Sequence, residues 1–261
     1  MTSPSTSVPR GSTMMIDPGL PTGAFTDVIE SHGEYIDIVK FGWGTALVTK
    51  DLDRKIGALR AAGIDFYFGG TLFEYYLWTG RLGEYLALVR RTGATHIEVS
   101  NGTIPLDQQS KAGYVRKLSG QWTVLSEVGY KDADRSALLT PADWVGALQE
   151  DLEAGACTVI TEARESGRSG IAHADGSMRD DVLHAVLDAI DPAKVMFEAP
   201  TKDLQVELIR TVGPRVNLGN VASSDVLGVE TLRRGLRGDT LLQLTTGNCP
   251  SDRRAQHAPA A

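Results

Sequence analysis

The sequence predicts an α/β protein built as a single-domain (β/α)8 barrel, and three observations support this fold. The chain has 261 residues, a length that suits one large domain. A short strand-like run recurs eight times along the chain, with helix-like segments between the runs. Most of the runs follow a glycine, the residue that commonly ends a helix, as in AAGIDFYFGG and RTGATHIEVSNG.

The eight predicted strands are rich in Val, Ile, Phe and Thr, and each is short enough to be a buried strand of a parallel sheet. They lie near residues 13–17, 35–42, 64–69, 95–100, 122–128, 157–162, 194–199 and 215–219. Eight alternations of strand and helix match the TIM barrel. An open doubly wound sheet is the alternative, but no G-x-G-x-x-G motif follows the first strand.

Amphipathic segments between the strands predict the outer helices. DWVGALQEDLEAG and DDVLHAVLDAI carry apolar residues at helical spacing. Thr140 and Pro141 precede the first of these segments, and they suit the capping position and the first helical position. We expect the barrel to span residues 13–245, between disordered tails at residues 1–12 and 246–261.

The composition argues against several classes of protein. A formal net charge of -7 disfavours nucleic acid as the partner. The chain has no run of 18 apolar residues that would predict a membrane span. Its two cysteines form no C-x-x-C pair that would predict structural zinc. We therefore expect a cytoplasmic protein with small anionic substrates, and a homo-oligomer is compatible with the sequence.

Glutamates lie near the ends of four consecutive predicted strands: Glu98, Glu127, Glu162 and Glu198. In a barrel of this kind the active site forms at the carboxyl ends of the strands and in the loops that follow. Buried carboxylates are costly unless they are paired or bind a metal, and oxygen ligands suit Mg²⁺. The four glutamates therefore predict a magnesium site. A metal-free network of ion pairs inside the barrel is the alternative.

Basic and amide side chains near the same strand ends favour an anionic substrate. The catalytic candidates are Lys131, Lys40 and Arg164. The substrate-binding candidates, together with two glycines that offer backbone N–H groups, are Arg168, Asn217, Gly219, Asn220, Arg237 and Gly238. The stretch RRGLRGD, residues 233–239, has two interpretations. It either binds a phosphate through Arg237 and backbone N–H groups, or it holds an ion pair between Arg237 and Asp239.

At these residues the sequence resembles the phosphosulfolactate synthase family. The similarity spans roughly residues 14–241 and includes the segments YIDIVKFGWGTA, GGTLFE, IEVSNG, LSEVG, EARESG, FEAP, VNLGN and ETLRRGLRGDT. The resemblance implies a Mg²⁺-dependent barrel enzyme that adds sulfite to phosphoenolpyruvate and forms (2R)-2-phospho-3-sulfolactate, a step toward coenzyme M in methanogens. It implies Lys131 as the acid that protonates C2, and arginines that neutralise the phosphate and the sulfite.

Two positions depart from the family pattern. The family usually reads Asp-Lys-Gly-Leu at the first strand, where this chain has Asp17-Pro18-Gly19-Leu20. It often has two lysines after Glu-Val-Gly, where this chain has Tyr130 and Lys131. Both changes remove positive charge near a site for two anions. Two alternatives therefore stay open: addition of another nucleophile to phosphoenolpyruvate or a related enol phosphate, and a non-catalytic, stress-associated relative.

Overall fold

The computed structural model describes residues 10–245 and contains a parallel sheet of eight strands that forms a nearly closed barrel, which confirms the predicted fold. The strands are β1 (Thr13–Asp17), β2 (Ile38–Phe41), β3 (Asp65–Phe68), β4 (His96–Val99), β5 (Thr123–Val128), β6 (Thr158–Thr161), β7 (Val195–Glu198) and β8 (Asn217–Ala222). β2 starts later than predicted because Gly33–Tyr35 form a turn of 3-10 helix. β8 extends further along the chain than predicted, to Ala222.

Helices cover the outside of the barrel. They are α1 (Thr22–His32), α2 (Leu52–Ala62), α3 (Gly70–Trp78), α4 (Leu82–Thr92), α5 (Gln108–Ser119), α6 (Ala133–Ala137), α7 (Pro141–Glu153), α8 (Asp180–Ala189), α9 (Lys202–Val212), α10 (Val226–Arg233) and α11 (Leu241–Thr245). The two predicted amphipathic helices are confirmed as α7 and α8. Thr140 and Asp143 exchange hydrogen bonds in a capping box that fixes the start of α7. In the described part of the chain, no helix is long and apolar enough to cross a membrane.

Backbone hydrogen bonds join the strands in the order β3-β2-β1-β8-β7-β6-β5-β4. Within residues 10–245 no ladder joins β3 to β4, so the barrel has a seam between them. The hydroxyl of Thr95 donates to Asp65 across the amino end of the seam, at 2.9 Å. At the carboxyl end, the backbone N–H of Gly70 donates to the carboxylate of Glu98. Side chains therefore bridge the barrel where the backbone ladder is missing.

Side chains inside the barrel change from apolar to charged toward the carboxyl ends of the strands. One interior layer is apolar and consists of Met14, Ile38, Tyr67, Leu125, Ile160 and Met196. Because side chains two positions apart in a strand point the same way, the residues two positions further along form the next layer. In β2, β5 and β7, and directly after β6, these residues are Lys40, Glu127, Glu198 and Glu162. Strand alternation thus places charge inside the mouth of the barrel.

The predicted tails fall mostly outside the described residues, which leave out residues 1–9 and 246–261. Arg10 and Ser12 are described, and both contact the barrel. The guanidinium of Arg10 pairs with Asp37 at 2.6 Å. The backbone N–H of Ser12 donates to Asn217 at 2.9 Å. Contacts with the barrel therefore begin before residue 13.

Candidate active site

A cleft opens at the carboxyl ends of the strands, where the sequence predicts the active site. Its walls include Lys40, Trp43, Glu98, Lys131, Glu162, Arg164, Glu198 and Asn220. Three of these residues have positive φ angles, 47° at Trp43, 49° at Arg164 and 51° at Asn220. This conformation is uncommon for residues other than glycine, and strained backbone of this kind concentrates at functional sites.

Three buried glutamates in this region form a cluster that fits a metal ion, and we call them the carboxylate triad. One carboxylate oxygen from each of Glu127, Glu162 and Glu198 lies within 4.8 Å of the others. Each residue is at most 2% exposed, so its charge is shielded from water and requires a cation. The three glutamates converge because they stand at the same end of the neighbouring strands β5, β6 and β7. Hard oxygen donors of this kind are the ligands that Mg²⁺ takes.

Lys40 on β2 binds glutamates from the other side of the barrel. Its Nζ lies 3.1 Å from both Glu98 and Glu198, and 3.4 Å from Glu127. The contacts with Glu198 and Glu127 are hydrogen bonds, whereas the contact with Glu98 is an ion pair whose carboxylate Oε2 accepts no hydrogen bond among the described residues. Burial opposes the charge of Lys40, but the three carboxylates outweigh it and raise the pKa of Lys40 well above its usual value. Lys40 is therefore a fixed positive charge within the cluster.

Lys131 lies in the loop after β5 and binds two members of the carboxylate triad. Its Nζ is 3.0 Å from Glu127 and closer still to Glu162. The side chain of Lys131 is 23% exposed, whereas that of Lys40 is 7% exposed. Burial lowers the pKa of Lys131, but attraction to Glu127 and Glu162 outweighs burial and raises it well above its usual value. Lys131 therefore holds its proton in this arrangement.

The glutamates differ in pKa because the two lysines reach them unequally. Burial raises the pKa of Glu162 to about 8, and repulsion from Glu127 and Glu198 adds to this shift. Burial also raises the pKa of Glu98 to about 7, and it raises the pKa of Glu198. At Glu127 the effect of burial is outweighed by the lysines, which hold its pKa below the usual value. Since four glutamates face two lysines, the ionised cluster keeps an excess of negative charge that a divalent cation would neutralise.

The fourth predicted metal ligand, Glu98, lies beside the triad instead of within it. Its carboxylate accepts a hydrogen bond from the backbone N–H of Gly70, at the start of α3. Two further polar residues of this region were not among the predicted site residues. The hydroxyl of Ser100 lies 2.5 Å from the buried carboxylate of Glu74 and 3.2 Å from that of Glu127. Ser100 therefore lies between Glu74 and the triad member Glu127 and contacts both carboxylates.

A buried ion pair supports β5 from its outer face. The Nζ of Lys111 on α5 lies 2.7 Å from Asp151 on α7, and both side chains are fully buried. The same Nζ donates to the backbone oxygen of Glu127 at 2.8 Å, and Asp151 accepts from the hydroxyl of Ser126 at 2.8 Å. Sequence reasoning missed this pair. A lysine on the otherwise apolar face of a helix was the signal that pointed to it.

The predicted substrate-binding residues of β8 separate along the barrel. Asn217 stands at the start of the strand and donates to the backbone oxygen of Val195 at 3.0 Å. It therefore stabilises the amino end of the barrel, away from the cleft. Gly219 lies in the apolar interior, where a Cβ would come within 2.9 Å of Met14. Asn220 does line the cleft, and its buried Oδ1 has no hydrogen-bond partner among the described residues.

Three more predicted substrate-binding residues lie outside the cleft. Arg168 lines a second surface pocket between α6 and the loop that joins β6 to α8. The Nε of Arg237 lies 3.7 Å from Asp239. This contact agrees with the ion-pair interpretation of residues 233–239. Gly238 is exposed between these two residues. Arg164 is the arginine of the predicted set that the structure places in the cleft.

Comparison with known proteins agrees with the resemblance seen in the sequence. The family model for (2R)-phospho-3-sulfolactate synthase matches residues 4–239. A phosphosulfolactate synthase of Bacillus subtilis is 45% identical over 238 residues, which cover 90% of this chain and 94% of the relative. One from Methanothermobacter thermautotrophicus is 39% identical over 247 residues, 92% of this chain and 96% of the relative.

The fold also resembles that of a solved barrel enzyme. A crystal structure of 3-hexulose-6-phosphate synthase superposes with a TM-score of 0.56 at 15% identity, and covers 86% of this chain and 98% of the other. At that identity the likeness shows the fold alone. The family model and the two relatives extend over almost the whole barrel, and they settle the family: the chain belongs to the phosphosulfolactate synthases, a family of enzymes.

Proposed function

We propose that this chain is a Mg²⁺-dependent lyase that adds sulfite to phosphoenolpyruvate and forms (2R)-2-phospho-3-sulfolactate. The observation that carries the proposal is the buried carboxylate triad with its two lysines, at the strand ends of a chain from this family. A negatively charged triad beside cationic side chains suits a metal ion together with an anionic substrate.

The triad Glu127, Glu162 and Glu198 would hold the metal. A bound Mg²⁺ supplies electrostatic stabilisation for the negative charge that develops on the substrate carboxylate. Lys40 keeps two of the triad carboxylates in place through its contacts at 3.4 Å and 3.1 Å. Glu74 and Ser100 restrain Glu127 in the same way.

The reaction requires one new carbon–sulfur bond and one proton transfer. The sulfur lone pair of sulfite attacks C3 of phosphoenolpyruvate, and the π electrons of the double bond move to C2, where the carboxylate shares them as an enediolate. Lys131 then gives the proton on its Nζ to C2, and the phosphate ester stays intact. Lys131 is the candidate donor because it lines the cleft and is protonated there; the attraction to Glu127 and Glu162 that raises its pKa has to be relieved before it becomes an effective acid.

The anionic groups of the substrates need positive or polar partners inside the cleft. Arg164 lines the cleft, and its backbone N–H is fixed by the carboxylate of Glu162 at 2.7 Å. Its guanidinium has a carboxylate neighbour at 3.8 Å in the exposed Glu165, so an anion can compete for it. Asn220 also lines the cleft, and its amide N–H groups would donate hydrogen bonds to an anion there.

The alternative in which a different nucleophile adds to the enol phosphate rested on Pro18 and Tyr130. Neither residue is among those that line the cleft in the described chain. The ring of Tyr130 instead lies 4.0 Å from the guanidinium of Arg135 on α6. The present side chains at both positions thus stand outside the cleft wall, and the choice between sulfite and another nucleophile is decided by the following experiment.

The proposal is tested by incubating the purified protein with phosphoenolpyruvate, sulfite and Mg²⁺ and following the product by mass spectrometry. We expect one product with the combined mass of the two substrates, and none from the Lys131→Ala variant within the same time. If the wild-type protein gives no adduct with sulfite but does give one with another nucleophile, the alternative activity replaces the proposal.

A further inference from the structure

Lys131 occupies the place of a cation in the carboxylate triad. Its Nζ contacts Glu127 at 3.0 Å and also contacts Glu162, and these residues supply two of the three oxygens that lie within 4.8 Å of one another. A metal ion bound to the triad would need lone pairs from Glu127 and Glu162, the two carboxylates that now accept hydrogen bonds from the ammonium group. The ammonium group of Lys131 and a metal ion therefore compete for Glu127 and Glu162.

The two lysines of the cluster differ in their freedom to leave it. Lys40 stands within a strand of the barrel, has a side chain that is 7% exposed, and forms ion pairs with three carboxylates. Lys131 follows β5 in a loop, contacts two carboxylates, and has a side chain that is 23% exposed. A partly exposed ammonium regains water when it moves, whereas a buried one does not. Lys131 is therefore the lysine that can leave the carboxylates when a metal ion binds.

We propose that Lys131 and the metal ion exchange on Glu127 and Glu162. Metal binding displaces the ammonium group from the two carboxylates and turns it into the cleft. This inference rests on the proposed function in taking a divalent metal as the ligand of the triad. It adds an order of events, because the proton donor reaches its working position after the metal has bound.

Electrostatics favours the exchange in this direction. At equal distance a divalent ion attracts a carboxylate twice as strongly as an ammonium group does. Once the ion is bound, it repels the ammonium and satisfies the oxygens that held it. The side chain of Lys131 has four methylene groups, so its Nζ can move by several bond lengths without any change in the backbone. In the metal-free protein, Lys131 provides the positive charge that pairs with Glu127 and Glu162.

The first experiment measures the affinity for Mg²⁺ by titration calorimetry after removal of metal with a chelator. Lys131→Met removes the competing ammonium and keeps the length of the side chain. We expect this variant to bind Mg²⁺ at least tenfold more tightly than the wild type. Lys117→Met, on the exposed face of α5, is the matched control and should bind as the wild type does. Unchanged or weaker binding by Lys131→Met, or no binding of Mg²⁺ by the wild type, overturns the exchange.

The second experiment separates displacement from a general effect of charge and uses the wild-type protein. An amine-reactive ester labels lysines at constant pH, and mass spectrometry gives the rate at each residue with and without saturating Mg²⁺. We expect the rate at Lys131 to rise at least threefold with the metal while the rate at Lys117 stays constant. A rate at Lys131 that is constant or falls overturns the exchange, even if the affinities shift.

The labelling result is independent of the reaction that the enzyme catalyses. A rise at Lys131 without formation of a sulfite adduct would keep the exchange and reject the proposed function. Formation of the adduct with a constant labelling rate would keep the function and reject the exchange.

Discussion

The ammonium of Lys111 lies 2.8 Å from the backbone oxygen of Glu127, whose carboxylate belongs to the triad on the opposite face of β5. One residue is thus held from both sides of the sheet. The outer contact depends on the fully buried pair of Lys111 and Asp151, which links α5 and α7 behind the strand. The position of a triad carboxylate therefore depends on two helices that do not reach the cleft.

Lys111→Met is expected to lower the free energy of unfolding by about 3–5 kcal/mol, because it leaves the carboxylate of Asp151 buried without its cation. Replacing both partners, as Lys111→Met with Asp151→Leu, should cost less than the single change, since no unpaired charge remains. Denaturant unfolding measures both values, with Lys117→Met as the exposed control. A loss below about 1 kcal/mol for the single variant would show that the pair contributes little.

Glu162→Gln should abolish most of the activity, because the substitution removes a charged oxygen from the triad. Removal of metal by a chelator should abolish activity in the wild type, and added Mg²⁺ should restore it. The control is Glu153→Gln on the exposed end of α7, which should leave turnover unchanged. Full turnover of the wild type in excess chelator would rule out the metal role and leave the triad as a structural ion-pair network.

Arg164→Ala is expected to raise KM for the phosphorylated substrate by roughly ten- to a hundredfold, the worth of a charge-assisted contact of about 1.5–3 kcal/mol. Arg237→Ala is the matched control, because its guanidinium pairs with Asp239 and lies outside the cleft. Steady-state kinetics should show less than a threefold change for this control. A larger rise in KM for Arg237→Ala than for Arg164→Ala would instead place the anion at the loop of residues 233–239.

Lys131→Ala should lower kcat by about 10²–10⁴, the usual contribution of general acid catalysis, with little change in substrate affinity. Lys131→Arg should not restore the rate, because a guanidinium scarcely releases a proton. Single-turnover kinetics separates the chemical step from product release. Turnover within a few-fold of wild type in the alanine variant would exclude Lys131 as the acid.

Stability should depend on pH through Glu162, whose pKa rises from its ordinary value of 4.5 to about 8 on folding. A raised carboxyl pKa means that the protonated form stabilises the fold, so this contribution is complete below pH 4.5 and is lost as pH rises toward 8. In metal-free protein, the Tm of the wild type should therefore fall relative to that of Glu162→Gln over this interval. A constant difference between the two Tm values would show that Glu162 does not titrate there.

The sequence was sufficient to predict the barrel and the end of it that carries charge. Glycines at helix ends marked the strand boundaries, and the alternation within strands put Lys40 and Glu198 inside the barrel. The sequence did not show how far each residue lies along the barrel axis. Asn217 and Asn220 are three positions apart in β8, yet Asn217 holds the amino end of the barrel and Asn220 reaches the cleft.

Contacts between distant segments were the other part that the sequence could not supply. Glu98 follows the same strand-end pattern as the triad, but its neighbour across the seam is the start of α3. Arg168 follows Arg164 by four residues in the loop after β6, and the loop directs the two side chains into different pockets. The positions of Glu98 and Arg168 depend on how the loops fold over the barrel. The periodicity of the sequence does not predict the conformation of these loops.

The seam between β3 and β4 makes this barrel suited to circular permutation. Among residues 10–245, every backbone ladder lies on the path from β3 through β1 to β4, so new chain ends placed in the short loop between α3 and α4 would cut no pair of hydrogen-bonded strands. A permuted chain, with the native ends joined by a linker, would therefore keep all seven ladders and the triad that β5, β6 and β7 hold together. In a fully closed barrel the same cut would interrupt the chain between two strands that share hydrogen bonds.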